Sequence, residues 1–226
     1  MKIGIVGSGN MGRTLGMLWA DQGHEVFFGA RREDSLEYIR SLTSQPVLSG
    51  SLEDAVTFGD VLLYSLRETM PSSVAARQKY KDKVLIDPNN GEIPVDFHYP
   101  PVTQSYTEAY QADVPKAQIV KAFNTMAQEL YYHPADMIRQ HRLAGPFCAD
   151  TERSRRIVRQ LIEDTGLMPL DCGTVRQGSR LLESLADLTR LLMIRQQRGP
   201  YLAFSAVTLP EATAAHYGTR QPTRYQ

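Results

Sequence analysis

The chain has 226 residues, 42% of them hydrophobic and 22% charged, which is ordinary for a globular protein with a proper core. Twenty-five basic residues balance twenty-five acidic ones, so the overall charge excludes a nucleic-acid signature and any electrostatic specialisation has to be local. No apolar run is long enough to cross a bilayer, and Met1-Lys2 leads straight into a short apolar run and glycines, unlike a signal peptide. A soluble chain with no membrane partner is expected. Cys148 and Cys172 are too few for a disulfide framework or a cysteine zinc site, so no metal is expected. A reduced, cytoplasmic setting fits, with both residues as inert core thiols.

Lys2-Ile3-Gly4-Ile5-Val6 reads as a buried parallel strand. Residues 11–22 carry Met11, Leu15, Leu18 and Trp19 on one helical face, and Gly23 supplies the stop. Val26-Phe27-Phe28 is the next strand, completing a βαβ unit of about thirty residues. Pro46-Val47-Leu48 reads as a short strand, Ser51 and Asp54 mark a helix start, and Val61-Leu62-Leu63-Tyr64 is a buried strand. A helix is expected over 72–80, then strands at Val84-Leu85-Ile86 and Ile119-Val120. Residues 88–104 hold four prolines and Gly91 and form a long loop, a place where function collects.

Repeated βα units predict an α/β fold, a Rossmann-type doubly wound and mostly parallel sheet with a small C-terminal domain. Residues 1–142 form the dinucleotide-binding domain and 143–226 the small, helix-rich one. Within the latter, Pro146-Phe147-Cys148-Ala149 and Met168-Pro169-Leu170 read as strands around a charged helix over 152–164. A second helix over 179–197 carries Leu181, Leu185, Leu188 and Leu192 at helical spacing, broadened by Leu182 and Leu191. That stripe is either core or the seam of a homodimer. The polar segment 216–226 reads as a loose tail or a partner-bound arm.

Gly7-Ser8-Gly9-Asn10-Met11-Gly12 follows a strand and opens a helix, the context that gives G-x-G-x-x-G its meaning. Gly7 permits the tight turn, Gly9 lets backbone approach a pyrophosphate, and Gly12 lets helix and strand pack closely. The helix N-terminus offers free N–H groups to the phosphates. An NAD-preferring site would place a carboxylate at the tip of the second strand, but this chain has Gly29-Ala30-Arg31-Arg32. A guanidinium grips a 2′-phosphate bidentately, with Ser8 adding a hydroxyl, so NADP(H) is the expected cofactor. The alternative pairs Arg31 and Arg32 with Glu33 and Asp34 on a solvated surface. Ligands sit at the carboxyl ends of parallel strands, which brings Ser65, Leu66, Arg67 and Asn89 to the groove; Asn89 and Asn90 also suit a plain turn.

These residues, with Val120-Lys121-Ala122-Phe123-Asn124-Thr125 and Ser179-Arg180-Leu181-Leu182-Glu183-Ser184-Leu185, resemble the NADPH-dependent reductases of the deazaflavin coenzyme F420. They are similar as well to the cytosolic domain of the six-transmembrane epithelial-antigen metalloreductases, including Arg198-Gly199-Pro200. The resemblance implies hydride exchange between NADP(H) and a flavin-like ring, with coenzyme F420, FMN or FAD as candidate co-substrate. It implies that Ser8, Arg31 and Arg32 hold the 2′-phosphate and that Asn10 and Met11 face the pyrophosphate. Ala122, Phe123, Asn124 and Thr125 then border the nicotinamide and acceptor pocket.

Hydride transfer between stacked rings asks the protein to position rather than to react, so the missing triad or zinc site is consistent with it. Asn124 and Thr125 either orient the carboxamide or acceptor or cap a helix near Ala127. His133 either donates a proton in the pocket or is structural. Arg176 and Arg180 either receive an anionic acceptor tail, or Arg180 pairs with Glu183 on its own helix. Other readings are ferric reduction through a flavin, reduction of a small imine or carbonyl, and a redox sensor that binds NADP without turnover. The expected partner in the main reading is a small-molecule electron acceptor.

Overall fold

A computed structural model describes residues 1–43, 46–197 and 199–209. The apolar run β1 (Lys2–Val6) lies inside an eight-stranded sheet of order β3-β2-β1-β4-β5-β6-β7-β8. The other strands are β2 (Glu25–Gly29), β3 (Leu48–Gly50), β4 (Val61–Tyr64), β5 (Val84–Asp87), β6 (Gln118–Ala122), β7 (Ala144–Ala149) and β8 (Met168–Asp171). Every neighbouring pair is parallel except β6 and β7. The expected doubly wound, mostly parallel α/β sheet is borne out.

The sheet is apolar on both sides because helices cover both. On one face Ile3, Ile5, Phe28 and Ile86 pack with Leu15 and Trp19 of α1 (Asn10–Asp21) and Leu161 of α6 (Glu152–Asp164). The Trp19 indole donates to the Leu161 carbonyl at 3.1 Å, so its polar edge is satisfied inside the core. On the other face Val6, Leu62, Tyr64 and Leu85 meet α3 (Leu52–Phe58) and Tyr110 of α4 (Tyr106–Asp113). Helix α2 (Glu33–Ser41) follows β2, and α5 (Ala135–Gln140) precedes β7. The Ser51 helix start is a full capping box with Asp54.

Strand order turns back between β1 and β4, and the carboxyl ends of those strands open a crevice there. The segment after residue 143, expected as a small domain, adds β7 and β8 to the same sheet. Its long helix α7 (Val175–Arg195) leaves the sheet to lie against β6 and β7.

Three local expectations are corrected. The third strand starts at Leu48, because the ladder pairs Phe27 with Leu48 and Gly29 with Gly50. The helix expected over 72–80 is two short 3-10 turns, Pro71–Ser73 and Arg77–Tyr80. Asp113 of α4 draws both turns in, accepting from the Ser72 N–H at 2.7 Å and Arg77 at 2.9 Å. The leucine stripe of α7 is not core: Leu181 is 69% exposed and Leu188 46%, Leu185, Leu191 and Leu192 are half-buried, and only Leu182 is buried. The helix instead buries Gly178, Ser179, Leu182, Glu183, Ala186 and Thr189. A Cβ on Gly178 would come within 2.8 Å of Cys148, so close packing selects small residues on that side. Arg198 and the 216–226 tail lie outside the described residues.

Candidate dinucleotide and acceptor cleft

The glycine turn connects β1 to α1, as its spacing predicts. Gly7 has φ +104°, a conformation that L side chains rarely adopt. Its carbonyl accepts from the Ser65 hydroxyl, which binds the turn to the end of β4. A Cβ on Gly12 would run into the Gly7 carbonyl and stand 2.8 Å from Ser65 Oγ, whereas one on Gly9 would meet nothing within 4 Å. Gly12 is therefore required by packing. Gly9 is required by nothing inside the protein, and the open space beside it is what a phosphate approaching the backbone would use.

A cavity of about 450 Å³ runs from this turn along the ends of β4, β5 and β6 to the inner face of α7. Of the expected site residues, Gly9, Asn10, Met11, Ser65, Arg67, Asn89, Phe123, Asn124 and Thr125 line it. Gly7 and Gly12 shape the turn, Leu66 packs against Gly7, and Ala122 is fully buried within β6. Ser8 is nearly buried and gives its hydroxyl to the Gly29 carbonyl at 2.9 Å. His133 stands apart from the cleft: it is exposed, stacks edge-on against Tyr201 at 5.8 Å, and borders a separate pocket.

At the tip of β2 the two arginines differ. Arg32 is paired with Asp34, its Nε donating to Oδ1 at 3.0 Å. Arg31 donates to the Thr69 hydroxyl at 2.8 Å and has no carboxylate partner among the described residues. Its guanidinium is the one left for an anion.

The cleft floor is tightly bonded. Phe123, directly after β6, takes φ +62°, left-handed backbone unusual for an aromatic residue, and packs edge-on to Trp19 at 5.5 Å. Asn124 then donates from Nδ2 to Asn90 Oδ1 at 2.8 Å and to the Leu182 carbonyl at 2.9 Å, while Asn90 Nδ2 donates to the Asn124 carbonyl at 2.7 Å. Asn89 donates from its N–H and Nδ2 to Asp87 Oδ1 at 2.8 and 3.0 Å, and from Nδ2 to the Tyr64 carbonyl at 2.8 Å. These asparagines are more than turn residues, since they join β5, β6 and α7.

Beneath them lies a cluster that the sequence did not disclose. The Lys121 ammonium, fully buried, donates to Asp87 Oδ2 at 3.0 Å, to Glu183 Oε1 at 2.6 Å and to the Asn89 carbonyl. Thr107 and the Tyr106 N–H also donate, to Asp87 Oδ2 at 2.7 Å and Glu183 Oε1 at 2.9 Å. Burial pushes the Glu183 carboxyl above its ordinary value, with Lys121 opposing. The expected pairing of Arg180 with Glu183 is corrected, because Arg180 reaches Glu108 at 2.8 Å instead. Arg176 is exposed on the first turn of α7.

Ala186, Thr189, Arg190 and Met193 form the α7 wall, with Ile93 from the loop after β5 and Gln128 after β6. Sequence reading missed them because their spacing is shadowed by the leucines outside. Arg190 donates from Nη1 to the Gly91 carbonyl at 2.9 Å and to Asp187 at 3.3 Å, fastening the proline-rich loop to α7.

Residues 2–91 match the family described as NADP oxidoreductase, coenzyme F420-dependent. Over that stretch the chain is similar to these oxidoreductases. Metalloreductase STEAP3 of Rattus norvegicus is 27% identical over 176 residues, which are 77% of this chain and 34% of that protein. The chain thus spans about a third of that relative's length. An inferred F420-dependent NADP-reductase of Arthrobacter sp. FB24 superposes with a TM-score of 0.70 at 22% identity, covering 92% of this chain and 100% of the other. A reductive aminase of Aspergillus terreus, in complex with NADPH and ethyl-5-oxohexanoate, gives a TM-score of 0.60 at 15% identity over 87% and 63% of the two chains. At such identities the superpositions establish the fold. No helix among the described residues is long and apolar enough to cross a membrane.

Proposed function

We propose that this chain is an NADP(H)-dependent oxidoreductase passing a hydride from NADPH to a flavin-like acceptor ring, coenzyme F420, FMN or FAD. The residues present suit the dinucleotide: the empty space at Gly9 would admit a pyrophosphate, and Arg31, with no carboxylate partner among the described residues, would take a 2′-phosphate. When bound, the nicotinamide supplies the hydride. The protein's part is to hold it through the ends of β4, β5 and β6 and to wall off water with α7. Asn124 and Asn90, already locked to each other, give that end of the cleft a fixed polar edge.

The observation that carries the acceptor assignment is the make-up of the cleft. Among its described lining residues the only ionisable ones are Arg67 and Arg190. Reducing a carbonyl calls for a positioned acid with a pKa near the working pH, and an arginine does not release its proton there. A conjugated ring that takes a hydride and later a proton from water makes no such demand. Ferric reduction through a bound flavin would use the same hydride step.

NADPH oxidation is to be followed with F420, FMN, FAD and a ferric chelate offered separately. Turnover with F420 or a flavin supports the assignment; turnover with a small imine or carbonyl alone overturns it. Tight NADPH binding with no turnover on any acceptor would indicate a sensor. The outward leucines of α7 further suggest a homodimer, and the free thiols Cys148 and Cys172 a reducing, cytoplasmic setting. A sedimentation profile that stays monomeric at micromolar concentration would refute the dimer.

A further inference from the structure

The charges beneath the cleft do not balance. Lys121 is the one cation bonded to the buried carboxylates of Asp87 and Glu183 among the described residues, and none of the three side chains is more than 6% exposed. The other partners of the two carboxylates are neutral: the Thr107 hydroxyl, the Asn89 amides and the Tyr106 N–H. Of the guanidinium groups nearby, Arg180 is committed to Glu108 and Arg190 to Asp187, while Arg67, which lines the cleft, is exposed and therefore screened by solvent. The cluster therefore sets two carboxyl groups against one ammonium, with the ammonium on Glu183 at 2.6 Å opposing the effect of burial there. One residue connects it directly to the cleft. Asn89 accepts from Lys121 and donates to Asp87 on its inner side, and it lines the cavity on the other.

We propose that this buried negative surplus lies under the nicotinamide end of a bound dinucleotide and favours the oxidised ring over the reduced one. The inference rests on the assignment of the cleft to NADP(H). An oxidised nicotinamide ring carries a positive charge that the reduced ring lacks. A fixed anion below it stabilises one redox form, and a charge held in the interior escapes the salt screening that weakens surface pairs. The favoured direction is donation: a hydride, two electrons and a proton, leaves NADPH for the acceptor, and the form left behind is the one the site holds better. Lys121 is then a positioning residue that sets Asn89 and tempers the surplus, and Glu183 supplies it from α7.

The test needs no acceptor. Dissociation constants for NADP⁺ and NADPH are measured by calorimetry for the wild type, Glu183→Gln, Asp87→Asn and Lys121→Met. The adenylate fragment 2′,5′-ADP serves as a probe of the other half of the site. The ratio of the NADP⁺ constant to the NADPH constant is expected to rise about threefold to tenfold in Glu183→Gln and Asp87→Asn and to fall by a similar factor in Lys121→Met. Binding of 2′,5′-ADP is expected to stay the same throughout. A ratio unmoved in the folded carboxylate variants, or one that moves the same way when lysine or carboxylate is removed, overturns the inference. Damage to packing weakens both redox forms together and cannot imitate shifts of opposite sign. If Lys121→Met does not fold, the two carboxylate variants decide. A wild type that binds neither dinucleotide refutes the NADP(H) assignment itself, and this inference falls with it.

Discussion

Asn90 and Asn124 hold each other in a reciprocal pair, the amide of Asn124 donating to the side chain of Asn90 and the amide of Asn90 to the backbone of Asn124. Both are nearly buried, so little water is at hand to replace a lost partner. Asn90→Asp keeps the acceptor and loses the donor, leaving the Asn124 carbonyl short of a partner. Urea unfolding is expected to register a loss of about 1–3 kcal/mol, with Asn90→Ala at least as costly. Unchanged midpoints in both variants would show the pair to be incidental.

Gly9 and Gly12 separate ligand binding from folding. Gly9→Ala adds a methyl group to open space, so its melting temperature should match the wild type while NADPH affinity falls about tenfold or more. Gly12→Ala drives a methyl group into the Gly7 carbonyl and should lower the melting temperature by several degrees. The reverse order of effects would mean that the turn does not face a phosphate.

Arg31 and Arg32 are expected to contribute unequally. Arg31→Asp should weaken NADPH by about 100-fold and leave NADH nearly untouched, since only the former carries the 2′-phosphate. Arg32→Ala should cost less, because its guanidinium is engaged with Asp34. Equal losses for NADPH and NADH in the Arg31 variant would end the 2′-phosphate assignment.

Asp113 predicts part of the acid stability. Burial pushes its carboxyl up, but the Ser72 hydroxyl and N–H and the Arg77 guanidinium outweigh that and hold it below the usual carboxylate range. A depressed folded value means that this stabilisation is full above the unfolded value of about 4 and fades as pH falls through the folded one. Asp113→Asn should cost about 1–3 kcal/mol at pH 7 and progressively less in acid. A penalty of the same size at every pH would place the cause in packing.

The first βαβ unit was legible because its signals are local: the apolar run of β1, the glycine spacing, and the stop at Gly23. The direction of β7 was not, since an apolar run reads the same in either direction and its antiparallel course depends on Ala122 meeting Phe147 far along the chain. In α7 the leucines gave the clearer period and drew attention to the wrong face. The buried face is legible only once Ser179 is seen to meet Ser105 and Glu183 to meet Lys121, pairings with no trace in spacing. Charged residues in an apolar strand, Lys121 above all, were the one available hint, since a buried ammonium demands a carboxylate from somewhere.

The placement of α7 also bears on the order in which the molecule is made. A nascent chain that has not yet reached Val175 already holds the glycine turn, Arg31 and the ends of β1, β4, β5 and β6, but it has no far wall to its cleft. Of the two carboxylates on Lys121, only Asp87 comes from that part of the chain. Helix α7 contributes both the wall and the second carboxylate, so the site's enclosure and its Glu183 charge depend on the same late segment of the chain.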